Sequence, residues 1–134
     1  MTTTVVKPAR AEVSLVSSPQ AAGLARRFTS AQLRSEAFDS ADLADAIELL
    51  MSELVTNVFR HTGTAEMVVL LHRDEQGVRA AVRDDSNDLP VLRDPAMLDG
   101  GGRGLLLLNA VASAWGIDRH PEGGKTVWFR LELA

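Results

Sequence analysis

The stretch LADAIELLMSELVTNVFRHTG, residues 43–63, predicts the clearest helix of the chain. Its apolar residues recur at steps of three and four, the spacing that places them on one face of an α-helix. These residues are Leu43, Ile47, Leu50, Met51, Leu54 and Val58. No proline or glycine interrupts the run between Ser40 and Thr62, and Gly63 stands where a helix commonly ends.

Shorter elements flank this helix on both sides. Strands are predicted at residues 11–16, 68–72, 78–82, 117–120 and 126–133, and further helices from Ser18-Pro19 through Leu33 and over residues 104–114. Residues 74–77 are predicted to form a hairpin turn between the second and third strands. This order predicts an α+β fold: a two-layer α/β sandwich whose mostly antiparallel sheet is covered by helices on one face.

The length of 134 residues favours a single domain. Residues 1–10 are predicted to be a flexible N-terminal tail and residues 11–134 the domain. Residues 84–103 contain five aspartates, two prolines and the triplet Gly100-Gly101-Gly102. A stretch of this length without regular structure is usually functional, so we expect a lid loop at about residues 85–103.

Composition narrows the function classes. The formal net charge is −4, which disfavours direct binding to nucleic acid, and four phenylalanines, two tryptophans and no tyrosine leave few aromatic rings for stacking on bases. The absence of cysteine excludes disulfides, thiolate nucleophiles and cysteine-ligated zinc. With no long apolar run and no apolar leader in MTTTVVKPAR, we expect no membrane contact and a cytoplasmic location.

A polar row lies beside the apolar stripe of the main helix. Glu53 and Asn57 are four residues apart, and His61 continues the row. A glutamate carboxylate can orient or deprotonate a hydroxyl group, and the asparagine carbonyl is a hard oxygen ligand suited to Mg²⁺. The alternative interpretation is an exposed polar pair without a role.

Two further motifs point to a nucleotide. Asp84 stands at the end of a predicted strand, where its carboxylate can accept a hydrogen bond from the exocyclic amine of adenine. The alternative is a turn rich in Asp, Ser and Asn. GGGRGL, residues 100–105, opens into a predicted helix, and glycines there let the backbone approach a phosphate. The alternative is a flexible hinge with a helix cap.

The common nucleotide motifs are excluded by position. Gly124-Lys125-Thr126 matches the end of a P-loop, but Arg119 holds the place of its first glycine and a strand follows. Leu105 likewise occupies the third glycine position of a dinucleotide fingerprint. Residues 123–124 are therefore expected to form a hairpin turn. The three histidines share no metal-ligand spacing, and no G-x-S-x-G sequence is present.

The order of these motifs resembles the GHKL-type ATPases. More narrowly, SELVTNVFRHTG, VRDDS, GGGRGLLLLNAVASAWG and GGKTVWFRL resemble the bacterial anti-sigma-factor serine kinases, especially the small single-domain actinobacterial members. The resemblance covers about residues 10–133. It implies a GHKL-type ATP site between the helical layer and the lid, with ATP and Mg²⁺ as cofactors.

The resemblance also implies individual roles. Glu53 would be the catalytic base, Asn57 the Mg²⁺ ligand, and His61 would follow a position that is often basic in the family. Asp84 would bind the adenine amine, with Ser86 nearby in the first nucleotide box. The base end of the pocket would include Thr126, and the phosphate-binding lid would include Gly102, Arg103, Gly104 and Leu105.

One departure from the family pattern concerns the D-x-G-x-G box. Here it is DDSND, residues 84–88, with neither glycine. The extra acids would weaken the binding of a triphosphate unless they face solvent, because close like charges repel by on the order of 1 kcal/mol at a surface. The sequence therefore favours ATP binding over efficient turnover.

The resemblance implies a regulatory ATP-binding protein. It would phosphorylate a serine of an anti-sigma-factor antagonist and would sequester a sigma factor when that antagonist is absent, with homodimerisation expected on the same ground. The alternative is a non-catalytic interaction module that controls its partner by nucleotide occupancy. Glu53 favours the kinase, because a pure binding module does not need a carboxylate at that position.

Overall fold

A computed structural model describes residues 9–35, 41–87 and 110–132. Its elements are β1 (Ala9–Val16), α1 (Ala21–Ser35), α2 (Ala41–His61), β2 (Glu66–Arg73), β3 (Gly77–Asp84), β4 (Ala114–Arg119) and β5 (Lys125–Glu132). The strands form one sheet in the order β1-β2-β3-β5-β4, and every neighbouring pair is antiparallel. The predicted α+β sandwich is confirmed.

Helix α2 follows the predicted boundaries to within one or two residues. Its buried side chains are Ile47, Leu50, Met51, Leu54, Val55 and Val58. The helix ends at His61, and the next residue, Thr62, donates both its backbone N–H and its hydroxyl to the carbonyl of Val58, at 3.1 and 2.7 Å. Helices α1 and α2 pack against each other, and α2 packs on β3. This packing fixes the polar row of α2, Glu53, Asn57 and His61, in position relative to the sheet.

The face of the sheet toward the helices is apolar along most of each strand. Side chains alternate between the two faces of a strand, and the buried set on β3 and β5 comprises Val78, Ala80, Val82, Val127, Phe129 and Leu131. Following the same alternation, Asp84 ends the buried face of β3 and Lys125 begins that of β5. The two are direct partners in the β3–β5 register.

The opposite face carries polar and charged contacts. The guanidinium carbon of Arg79 lies 5.2 Å from the ring centroid of Trp128, and the Trp128 indole N–H donates to Asp118 at 3.4 Å. Arg79 also pairs with Asp118 at 3.9 Å. Such solvent-exposed ion pairs contribute little to stability. This face is distinct from the one that carries Asp84.

The predicted β2–β3 turn at residues 74–77 is confirmed. Asp74 Oδ1 accepts the backbone N–H groups of Gln76 and Gly77 at 2.8 and 3.0 Å. The hydrogen bond from Gln76 lowers the pKa of the Asp74 carboxyl group, because it stabilises the charged form. Glycine is required at position 77, where a Cβ would collide with the backbone carbonyl of Leu131.

The predicted boundary before β4 is wrong. The strand begins at Ala114, whereas the sequence placed its start at residue 117 and continued the preceding helix to 114. Trp115 pairs with Phe129 of β5 and packs against the core, so tertiary pairing overrides the apolar run. Residues 110–111 are helical. The predicted tail of residues 1–10 overlaps β1, which begins at Ala9. Residues 1–8 and residues 88–109, which contain most of the predicted lid and the first part of the predicted helix, lie outside the described residues.

Among the described helices, none is both long enough and apolar enough to cross a bilayer.

Candidate functional site

A buried ion pair joins the ends of β3 and β5. Lys125 Nζ lies 3.0 Å from Asp84 Oδ1, and the two side chains are 3% and 0% exposed. The two residues occupy positions on the buried face of the sheet where the alternation along β3 and β5 would otherwise place apolar side chains. Buried ion pairs contribute weakly to stability, because desolvation offsets most of the attraction. The position of the pair therefore calls for an explanation other than stability.

Asp84 uses its two carboxylate oxygens differently. Oδ1 accepts from Lys125 Nζ and from the backbone N–H of Ser86, the latter at 2.8 Å. Oδ2 is buried and has no hydrogen-bond partner among the described residues. An unpaired buried acceptor costs about 1–3 kcal/mol, so the site is suited to a ligand that brings a donor.

The β4–β5 turn closes this end of the site. Gly123 and Gly124 have positive φ angles, 104° and 86°, which favour glycine. The backbone N–H of Gly124 donates to Asn87 Oδ1 at 3.0 Å, and its carbonyl accepts from the backbone N–H of His120 at 3.1 Å. The turn is thereby fixed against the segment that follows Asp84.

The polar row on α2 supplies a second unpaired oxygen. Glu53 and Asn57 are half-buried, and His61 is exposed at the end of the helix. Asn57 Oδ1 is buried without a hydrogen-bond partner in the described part of the chain. A neutral hard oxygen of this kind fits Mg²⁺ that is held mainly by the phosphates of a nucleotide. No cluster of three His, Asp or Glu residues in those ranges forms a metal site by itself.

A hydrogen bond brings the ends of α2 and β3 to the same end of the molecule. Thr64, three residues after His61, accepts the backbone N–H of Asp85 at 3.2 Å through its hydroxyl oxygen. The same hydroxyl donates to the carbonyl of Glu66 at 2.9 Å. Because three residues span at most about 10 Å, the polar row of α2 ends close to the strand end that carries Asp84.

The structure does not bring Thr126 to the expected base end of the pocket. It follows Lys125 on β5 and therefore points to the opposite face of the sheet from Asp84. Its hydroxyl oxygen lies 2.6 Å from His120 Nε2. The residue of β5 that lies beside Asp84 is Lys125.

The other expected residues divide into two groups. Ser86 is half-buried beside Asp84, and the Asp85 side chain is exposed to solvent, which removes one source of the expected repulsion. Gly102, Arg103, Gly104 and Leu105 lie outside the described residues.

Sequence reasoning missed Lys125 and Asn87 as parts of the site. Asn87 lies in the segment for which a turn was the alternative interpretation, and Lys125 lies between the turn predicted at residues 123–124 and the strand predicted from residue 126. The available signal was a lysine at the first position of a strand that otherwise alternates apolar residues.

Comparison with known proteins identifies the family of this chain. Residues 15–131 match the family described as histidine kinase-like ATPase domain, and the chain belongs to that family. No curated protein sequence gives a significant match.

Among solved structures, the chain is similar to the crystal structure of the RsbU and RsbW domains of Rv1364c from Mycobacterium tuberculosis. The TM-score is 0.67 at 22% identity, over 92% of this chain and 32% of that one. The chain thus spans about a third of the length of that chain, and the likeness shows a shared fold.

The two turn glycines offer a matched test of how closely β5 approaches Asp84. A Cβ at Gly123 meets no atom within 4 Å, whereas a Cβ at Gly124 would collide with the Asp84 carbonyl. We expect Gly123→Ala to lower the free energy of unfolding by about 1–2 kcal/mol, the cost of the left-handed backbone. Gly124→Ala adds overpacking, for a total of about 2–5 kcal/mol. Equal losses in urea denaturation would contradict the close approach.

Proposed function

We propose that this protein binds Mg²⁺ and ATP and transfers the γ-phosphoryl group to a serine of an anti-sigma-factor antagonist, and that it binds a sigma factor when the antagonist is absent. The observation that carries the proposal is a pair of buried, unpartnered oxygens on two elements that meet at one end of the fold. These are Asn57 Oδ1 on α2 and Asp84 Oδ2 on β3. Each matches a different part of a metal-bound nucleotide.

The unpartnered Oδ2 of Asp84 is suited to bind the adenine base of the nucleotide. A carboxylate oxygen accepts hydrogen bonds and cannot donate, so it selects a ligand group with an N–H. The exocyclic amine of adenine is such a group. A hydrogen bond to a charged acceptor contributes about 1.5–3 kcal/mol, enough to favour adenine over a base that lacks the amine.

The Asn57 oxygen suits the phosphate end. Mg²⁺ keeps most of its ligands as phosphate oxygens and water, and one side-chain oxygen from the protein is a common supplement. When bound, the metal ion would neutralise charge that develops on the phosphates. Within this chain, Asn57 would hold the nucleotide's metal end beside α2, one helical turn from Glu53.

Glu53 would act on the acceptor serine. Its carboxylate would take the hydroxyl proton as the serine oxygen forms a bond to the γ-phosphorus and the bond from that phosphorus to the bridging oxygen of ADP breaks. Its half-buried position next to Asn57 supports this role, because the carboxylate lies on the same row as the proposed metal ligand.

The nature of the partners follows from likeness. The motifs of the sequence resemble those of the anti-sigma-factor serine kinases, and the fold is similar to a structure that includes an RsbW domain. The motif resemblance supports a protein substrate and a sigma-factor partner, and the structural likeness supports the fold that such a protein would have. The same resemblance supports a homodimer.

Removing the side-chain oxygen of Asn57 tests whether this residue binds the Mg²⁺ of the nucleotide. We expect calorimetric titration of the wild type to show ATP binding at least about tenfold tighter in Mg²⁺ than in a chelator, because a lost bond to a charged group costs about 1.5–3 kcal/mol. Asn57→Ala should abolish that difference. Thr56→Ala is the matched control, since the Thr56 hydroxyl bonds the carbonyl of Ser52 within α2. A magnesium effect that persists in Asn57→Ala would contradict the assignment.

Replacing Glu53, the proposed catalytic base, distinguishes a kinase from a non-catalytic binding module. Glu53→Gln should lower phosphotransfer to a serine-bearing antagonist by about 10²–10⁴-fold while ATP affinity stays within about twofold. Glu48→Gln, a half-buried glutamate elsewhere on α2, is the control. Transfer at the wild-type rate by Glu53→Gln would remove Glu53 from the mechanism, and ATP binding without transfer by the wild type would favour the binding module.

A further inference from the structure

We propose that Lys125 determines the base specificity of the site by fixing the orientation of the Asp84 carboxylate. This inference rests on the proposed ATP site. Lys125 is a positioning residue in this account: it acts through Asp84, and the base itself contacts Asp84.

The contacts leave Lys125 little freedom. Its ammonium group donates to Asp84 Oδ1 at 3.0 Å and to the backbone carbonyl of Ser86 at 3.4 Å, and the side chain is only 3% exposed. The residue is also a direct cross-strand partner of Asp84. The pairing of β3 with β5 therefore fixes where the Lys125 ammonium group lies relative to the Asp84 carboxylate.

The consequence for Asp84 is an asymmetric carboxylate. Oδ1 is occupied by Lys125 and by the backbone N–H of Ser86, so rotation about the carboxylate axis would break two hydrogen bonds. Oδ2 remains as a single acceptor at a fixed position. A base with an amine at the matching position satisfies it, whereas a base with a carbonyl there places two acceptors against each other.

A purely structural role for Lys125 predicts something different. If the ion pair serves only to fill the end of the core, its loss weakens every nucleotide to the same extent. If the pair orients Oδ2, its loss removes the contribution of the amine specifically. The ratio of two affinities therefore distinguishes the two roles.

The experiment compares ATP with the triphosphate of purine riboside, which lacks the exocyclic amine, by calorimetry on folded protein. We expect the wild type to prefer ATP by about tenfold, and Lys125→Met to reduce the preference to within about twofold. Arg130→Met is the matched control, because it removes a cation from the outer face of the same strand. It should keep the full preference.

Lys125→Met leaves a buried carboxylate uncompensated, so its folding is checked by thermal unfolding. If it does not fold, Lys125→Gln carries the test: its side chain is one atom shorter and uncharged, so it loses the ionic contact that holds Asp84 Oδ1 and should lower the preference to below about threefold. A tenfold preference retained in either folded variant overturns the proposal. So does a wild type that binds ATP without preference, whereas a wild type that binds neither nucleotide overturns the proposed function itself.

Discussion

The ion pair between Asp84 and Lys125 is the constraint around which this end of the fold is organised. It stands where the apolar faces of β3 and β5 end, with both side chains nearly fully buried. The surrounding contacts converge on it: Ser86 turns back to Asp84, and Gly124 lies against the Asp84 backbone with Asn87 bonded to its N–H. Since a buried pair is a weak source of stability, we propose that the role of this pair is to orient the free carboxylate oxygen of Asp84.

That acceptor has a counterpart on the helical layer. Asn57 Oδ1 is the other buried carbonyl or carboxylate oxygen left without a partner among the described residues. The hydrogen bond between Thr64 and Asp85 ties the two layers together at this end. The chain belongs to the histidine kinase-like ATPase domains. We propose that one of these oxygens accepts from the amine of adenine and that the other binds a hard cation, the two ends of a metal-bound ATP.

The sequence predicted those features that depend on local periodicity. Helix α2 follows from its three- and four-residue spacing, and the β2–β3 turn from Asp74 and Gly77. What it did not predict depends on pairing between distant segments. Lys125 is buried by a partner 41 residues earlier, and the face to which Thr126 points is set by strand register, where a shift of one residue inverts every side chain.

The central claim is that ATP binds between α2 and the Asp84 end of the sheet. The most direct measurement is an NMR titration of the wild type with ATP and Mg²⁺, followed by replacement of Mg²⁺ with paramagnetic Mn²⁺. The account predicts shifts at Ser86 and Gly124, broadening by Mn²⁺ centred on the Asn57 side chain, and no change at the Trp128 indole on the outer face. Shifts and broadening centred on the outer face, or no response to the nucleotide, would contradict it.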